Sequence, residues 1–395
     1  MAALKQIRSL GLFTRSQGAF FTASRQRFQT QRDLWKQQLP DITPYYAVKC
    51  NPDPRLIGWH KEGGGAFDCA SAREIELVCG NKKADESILF ANPCKTAQDI
   101  QVARQKGVQW VTADSVEELQ KMYLSIYRPS VLLRVEVDDS ASTCPFSSKF
   151  GLPLADLGSL IEEARNRAFS VDGVSFHVGS GNKSPHAFGY AIHDIMKYWY
   201  QTQTERMYTL DIGGGWSPSH TLFRQQASSV RDALRDIPSP VQVIAEPGRF
   251  FASTVYDLYV RVIGKKPART GRGFRYTLDE SLYGQFSCVP FDHATPPMYR
   301  IRDPYNDPMR RRVPATFFGR TCDSLDVIAK SDDTEELFVG DWLYVPSMGA
   351  YTVATSTEFN GFPKPDIVET DDQPENESLI ACLGLTYPFV NALSV

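Results

Sequence analysis

Pro44-Tyr45-Tyr46-Ala47-Val48-Lys49 is the stretch from which this chain is best read. Its apolar run predicts a buried β-strand, and Cys50-Asn51-Pro52 breaks that strand at once. The strand ends on a lysine. Lysine is almost never fully buried without a partner, so Lys49 either snorkels to solvent or has a chemical task.

Seven further β-rich runs follow outward from it: Ala66–Cys69, Ser87–Ala91, Gln109–Ala113, Val131–Val137, Val171–His177, Met207–Ile212 and Val241–Ala245. Helical periodicity lies between them at Ala72–Cys79, Ala97–Lys106, Val116–Ser125, Leu154–Arg165, His186–Gln201 and Leu222–Leu234. Strand–helix alternation predicts a parallel sheet, and eight repeats fit a closed (β/α)8 barrel, a TIM barrel in the α/β class. Lys49, Asp68, Asn92, Asp114, Arg134, His177, Gly213-Gly214-Gly215 and Glu246 fall near the C-terminal strand ends. Those ends converge on one mouth in this fold, where active sites sit.

The texture changes after about residue 252. Val255–Ile263, Phe274–Leu278, Gln285–Val289, Ala315–Phe318, Trp342–Val345 and Tyr351–Ala354 are β-rich runs joined by Gly-, Pro- and Asp-rich turns. They predict an all-β second domain, to which Gly18–Thr22 adds a strand. The expected division is a barrel over 25–252, a β-domain of 1–24 plus 253–365, and a tail over 366–395. The first part of that tail reads as disordered. Its apolar end, Leu379–Val395, is too short and punctuated to span a membrane.

At 395 residues, with 42% apolar and 23% charged content, the chain has an ordinary soluble composition with room for two domains. A net charge of −3 gives no reason to expect nucleic acid or an anionic membrane as partner. The basic run Arg310-Arg311-Arg312 reads as a solvated loop. Arg8 and Arg15, with no acid before Asp33, give a weak organelle-targeting signal. The eight cysteines show no CxxC spacing and read as reduced thiols, so the chain is expected to be cytoplasmic. No metal site is expected, because the histidines do not cluster with acids at ligand spacing.

Chemistry concentrates at the strand ends. A desolvated lysine amine is a nucleophile for carbonyl compounds, so Lys49 suits a Schiff base to pyridoxal 5'-phosphate (PLP). Gly213-Gly214-Gly215 offers backbone amides to a phosphate, or is only a tight turn. Glu246-Pro247-Gly248-Arg249 brings close backbone approach at Gly248 and a guanidinium at Arg249. Glu246 suits a pyridine nitrogen, the alternative being a salt bridge to Arg249. His177 is a core histidine or a stacking partner for a cofactor ring, with Ser180 reaching the phosphate. In the β-domain, Asp292 and Asp323 are turn-forming acids or a clamp for a distal ammonium. Cys322 is a small buried residue or a proton donor.

These residues sit in recognisable segments: Pro44–Asn51, Phe67–Ser71, Ala91–Lys95, Ser175–Gly181, Asp211–Gly215, Ala245–Arg249, Thr321–Asp323, Gly340–Trp342, Gly349–Thr352 and Phe359–Phe362. As a set they resemble the eukaryotic-type ornithine decarboxylase family, within the alanine-racemase-like, fold-type III PLP enzymes. The likeness runs in order from about residue 18 to 365. It implies that Lys49 carries PLP and that Asp68, Arg134 and His177 line it. It implies that Glu246 pairs with the pyridine nitrogen, while Ser180, Gly215, Gly248, Arg249 and Tyr351 hold the phosphate, beside Gly213 and Gly214. Cys322 would protonate the α-carbon, Asp292 and Asp323 would bind the distal ammonium, and Phe359 would line the pocket. It further implies a homodimer with shared sites and the conversion of L-ornithine to putrescine in polyamine biosynthesis. The alternatives are a decarboxylase of lysine or of a carboxylate-bearing amino acid, or a non-catalytic regulatory homologue. Arg320 stands where the family usually has proline, and is expected to bias the pocket toward a larger or carboxylate-bearing substrate.

Overall fold

The computed structural model describes residues 18–84, 87–202, 207–235, 237, 241–269, 271–302 and 308–370. Arg8, Arg15 and the tail beyond Thr370, with Cys382, lie outside the described residues. The chain divides into two compact units, Arg32–Phe251 and the remainder on either side of it.

The first unit is a closed barrel of eight parallel strands, β2 to β9. These are β2 (Ile42–Ala47), β3 (Ala66–Cys69), β4 (Ile88–Phe90), β5 (Trp110–Ala113), β6 (Ser130–Arg134), β7 (Val171–Ser175), β8 (Thr209–Asp211) and β9 (Gln242–Ala245). β9 closes on β2 through Ile42 opposite Val243 and Pro44 opposite Ala245. Tyr45, Ala66, Leu89, Leu132 and Ile244 pack into one cluster with Trp110 against it, one apolar residue from each of six strands, which fills the barrel.

The helices follow their strands. α1 (Arg25–Gln38) precedes the barrel, and α2 (Pro54–Glu62), α3 (Ala72–Cys79), α4 (Ala97–Lys106), α5 (Val116–Leu124), α6 (Leu157–Asn166), α7 (Ala187–Thr202) and α8 (His220–Leu234) alternate with strands. Polar caps start several of them. Ser71 accepts from Glu74 N–H, Ser115 from Glu118 N–H, and Thr96 forms a reciprocal capping box with Asp99. α1 and α2 escaped the sequence reading. Asp53-Pro54, a cap residue followed by Pro at the first helical position, is the signal for α2.

The other unit is built on a mixed sheet in the order β12-β15-β10-β11-β13-β14. Its strands are β1 (Phe20–Ser24), β10 (Tyr256–Pro267), β11 (Phe274–Leu278), β12 (Tyr299–Arg300), β13 (Arg312–Phe318), β14 (Val327–Glu335), β15 (Trp342–Val345) and β16 (Asp366–Thr370). The expected N-terminal strand is present as β1, antiparallel to β10 and parallel to β16. Thus Asp366–Thr370, read as the start of a disordered tail, is a strand.

Two other expectations fail in this unit. Gln285–Val289, read as a strand, is a 3-10 turn running into the short helix α10 (Cys288–Asp292). Gln285 N–H turns onto the Glu280 carboxylate at 2.5 Å, and Pro290 brings no donor for a ladder. Tyr351–Ala354 is a turn, with Tyr351 at φ 54° and Thr355 Oγ1 donating to Tyr351 O at 2.7 Å. The basic run is largely exposed, as expected, but its arginines are paired. Arg310 pairs with Asp341, Arg311 with Glu336 and Arg312 with Asp333.

Candidate active site

Lys49 sits just past β2, in a 3-10 turn at Val48–Cys50. Its Nζ lies 2.6 Å from Asp68 Oδ2 at the end of β3. The Lys49 side chain is 37% exposed while that of Asp68 is fully buried. The amine is therefore reachable from solvent, unlike a buried structural pair. Asp68 Oδ1 has no hydrogen-bond partner, an unusual condition for a buried carboxylate oxygen.

Across the mouth, Asp211 on β8 and Glu246 after β9 are both buried. Burial raises Glu246 well above the ordinary carboxyl value, and the nearby Asp211 and Asp68 charges raise it further. Burial pushes Asp211 up as well. Two buried acids this close do not both ionise. Of the two, Glu246 is held the more strongly toward its protonated form. Asp211 Oδ1 accepts from Gly213 N–H at 2.9 Å, and Glu246 N–H donates to Gly213 O at 2.8 Å. One glycine thus ties the two acids together.

His177 follows β7. Its Nδ1 accepts from Gly179 N–H at 2.9 Å, so a neutral ring carries its proton on Nε2. Desolvation, with the Arg134 and Lys49 cations, pushes it well below the usual imidazole range. Phe146 packs edge-on against it at 4.9 Å. Arg134, at the end of β6, lies over the Phe150 ring at 5.2 Å.

The glycine run is a cradle built from backbone. A Cβ at Gly213 (φ +61°) would stand 1.9 Å from Phe176 O. One at Gly214 would stand 2.6 Å from His177 Nε2 and 2.8 Å from Glu246 O, and one at Gly215 (φ +113°) 2.7 Å from Gly179 O. A Cβ at Gly248 would reach Cys50 Cβ at 2.9 Å. Arg249, which opens the short helix α9 (Arg249–Ala252), donates from Nη2 to Ser180 Oγ at 2.9 Å. Positive charge and small hydroxyl stand together next to the glycines, a combination suited to a phosphate.

Lys49, Asp68, Arg134, His177, Ser180, Gly213, Gly214, Gly215, Glu246, Gly248 and Arg249 all lie in the barrel unit, at or beyond C-terminal strand ends. The remaining candidates lie in the β unit. There Asp323 Oδ1 accepts from Leu325 N–H at 2.9 Å, and Tyr283 OH donates to Oδ2. Both bonds hold the Asp323 carboxyl below its ordinary range. Tyr283 stacks on Phe359 at 4.5 Å. Cys322 N–H donates to Asn360 Oδ1 at 3.0 Å. Cys322 is exposed, which removes its reading as a small buried residue. The structure therefore gathers Cys322, Asp323 and Phe359 into one cluster. Asp292 is buried at the end of α10, and Tyr351 lies on the turn after β15. Asp211, Tyr283 and Asn360 were missed by the sequence reading. Asp211 had a visible signal, an acid inside an apolar strand next to three glycines.

Residues 25–253 match the pyridoxal-binding domain of pyridoxal-dependent decarboxylases. Residues 176–349 match their C-terminal sheet domain. The chain belongs to the pyridoxal-dependent decarboxylase family. Ornithine decarboxylase of Schizosaccharomyces pombe is 40% identical over 364 residues, 89% of this chain and 83% of that protein. Antizyme inhibitor 2 of Xenopus laevis is 38% identical over 374 residues, 90% of this chain and 81% of that one. Among solved structures, the Paramecium bursaria Chlorella virus arginine decarboxylase bound to agmatine superposes with a TM-score of 0.86 at 34% identity. It covers 93% of this chain and 99% of that one. The Vibrio vulnificus lysine/ornithine decarboxylase complexed with cadaverine gives 0.83 at 29% identity, with 94% and 100% covered.

Membership makes the chain a PLP-dependent decarboxylase, and the mouth fits that cofactor on its own residues. A reachable amine, a buried carboxylate oxygen without a partner, an acid held toward its protonated form and a glycine cradle beside arginine match an aldehyde, a ring and a phosphate. Among the described residues no helix is long and apolar enough to cross a membrane, and no acid, histidine and cysteine cluster could hold a metal.

Proposed function

We propose that this decarboxylase acts on a basic L-amino acid, with L-ornithine as substrate and putrescine and carbon dioxide as products. The observation that carries the substrate reading is Asp323, a half-buried carboxylate held toward its ionised form by Leu325 N–H and by Tyr283, whose ring stacks on Phe359. That combination suits a terminal ammonium on a short alkyl chain. The relatives' printed names, ornithine decarboxylases among them, point the same way.

Lys49 would carry PLP, with Asp68, Arg134 and His177 lining it and Ser180, Gly213, Gly214, Gly215, Gly248, Arg249 and Tyr351 holding its phosphate. PLP bound there supplies an electron sink for the pair left behind when carbon dioxide departs. The chain's residues do the rest. Asp68, 2.6 Å from Lys49 Nζ, would orient that amine toward a carbonyl carbon. Glu246, whose carboxyl burial holds well above the ordinary range, would stand beside the cofactor's ring nitrogen and share its proton with it. His177 presents a neutral ring face, adding no cation to the mouth. Cys322 Sγ–H returns a proton to the α-carbon, and Asp292 and Asp323 hold the distal ammonium.

We read the working form as a homodimer in which the Cys322–Asp323 segment of one copy serves the barrel of another. Mixing Lys49→Ala with Cys322→Ala chains tests this. Random exchange gives half mixed dimers with one intact site of two, so activity returns to about a quarter of the native value. No recovery on mixing, with dimers present, refutes shared sites. Carbon dioxide release from L-ornithine, L-lysine and L-arginine tests the substrate. Preference for ornithine supports the reading, and preference for another overturns it.

A further inference from the structure

The turn bearing Cys322 and Asp323 runs from Gly319 to Asp326. Asp326, 1% exposed, closes it from within. Its Oδ2 accepts from Thr321 N–H at 3.1 Å and from Thr321 Oγ1 at 2.6 Å, and Gly319 N–H donates to its carbonyl at 2.8 Å. The turn is also tied outward to two segments distant in sequence: Asp326 Oδ1 accepts from Leu282 N–H at 2.8 Å, Asp323 from Tyr283 OH, and Cys322 N–H donates to Asn360 Oδ1.

Arg320 joins both. Its backbone N–H donates to Glu280 O at 3.3 Å. Its Nη2 donates to Glu280 Oε1 at 3.1 Å and to Pro363 O at 3.1 Å. Its guanidinium lies over the Phe362 ring at 4.4 Å. Glu280 is itself anchored, its Oε2 accepting from Gln285 N–H at 2.5 Å. The pair is largely out of water, with side-chain exposures of 18% and 1%. A buried pair of this kind is poor evidence for stability, but it defines register well. Arg320 also faces a second buried acid, Asp279. Two acids thus face one guanidinium, whose hydrogen bonds go to groups inside the unit. The expectation that Arg320 would recruit a substrate carboxylate loses its physical basis.

We propose that Arg320 and Glu280 are positioning residues, a buried latch that fixes the Cys322–Asp323 turn against the 280–285 and 359–363 segments and so sets discrimination by chain length at the distal ammonium. The last part rests on the substrate-binding role of Asp323 proposed above; the latch itself does not.

Full-length Arg320→Met, Glu280→Gln, Arg320→Lys and the swapped pair Arg320→Glu/Glu280→Arg, each reconstituted with PLP, provide the test. Amide hydrogen exchange over 319–326 reads the latch without turnover. Expected is at least tenfold faster exchange there in Arg320→Met and Glu280→Gln, with barrel amides unchanged, and partial return of protection in Arg320→Lys and the swapped pair. Unchanged exchange in both single variants overturns the latch. Kinetics reads the consequence. Expected is a several-fold higher KM for L-ornithine and a smaller ornithine-to-lysine preference, with kcat held within about twofold. Faster exchange with unchanged KM and preference overturns the specificity role. If the native protein releases carbon dioxide from neither amino acid, the substrate reading falls while the exchange result still decides the latch.

Discussion

In the barrel mouth Asp68, Asp211 and Glu246 are buried, and the carboxyls of Asp211 and Glu246 are raised by exclusion of water and by neighbouring acids. In the β unit Cys322 is exposed and Asp323 half-buried, and their place is set by tethers: Leu325 N–H, Tyr283 OH and Asn360. The mouth is rigid because backbone atoms stand where side chains would otherwise grow. The turn is held by side chains that can be exchanged. The comparison teaches that the proposed cofactor end is fixed by steric exclusion, whereas the proposed substrate end is fixed by contacts that single substitutions can retune.

The sharpest attack on the mouth is Lys49→Ala. Decarboxylation should fall to background, and the visible absorbance of protein-bound PLP should lose its Lys49-dependent band. Retention of both would remove the mouth from the chemistry. Next comes Glu246→Gln, whose amide cannot deliver the ring proton. A drop in kcat of about 10²-fold or more is expected, measured with PLP saturating. The same variant carries a stability signature. Glu246's folded carboxyl is raised, so its contribution is complete below its ordinary value of 4.5 and is lost as pH climbs above it. Urea unfolding of the native apo protein should weaken over that climb, and Glu246→Gln should flatten the slope.

Smaller effects sharpen the other side. Cys322→Ala should lower kcat by about 10²-fold, in the range for a missing proton donor, while leaving PLP affinity intact. Gly214→Ala would force its Cβ against Glu246 O and cost about 1–3 kcal/mol, read as weaker PLP binding in equilibrium titration. The smallest change is Tyr283→Phe. It removes one tether on Asp323, and a few-fold rise in KM for ornithine with unaltered PLP binding is expected. A larger loss in Tyr283→Phe than in Gly214→Ala would reverse the comparison.

Much of the mouth was legible because its signals are local. Each barrel strand is a short apolar run, and Lys49, His177, the glycines and Glu246 follow directly in sequence. α1 was not legible, since Arg25–Gln38 carries few apolar residues beyond Phe28, Leu34 and Trp35. Gln285–Val289 has strand-like composition, and only the through-space bond to Glu280 reveals its turn. Arg320 shows the limit most clearly. Its charge was visible, but the acid that absorbs it lies forty residues away.

Trp216 gives the glycine cradle an optical reporter. Its indole Nε1–H donates to Gly213 O at 2.9 Å, and its ring stacks on Phe188 at 4.0 Å in a pocket shared with Trp35. The fluorophore is thus wired to the same carbonyl that receives Glu246 N–H. PLP absorbs where tryptophan emits, so filling the cradle should quench Trp216 by energy transfer. Occupancy can then be followed in real time, without a label and without turnover.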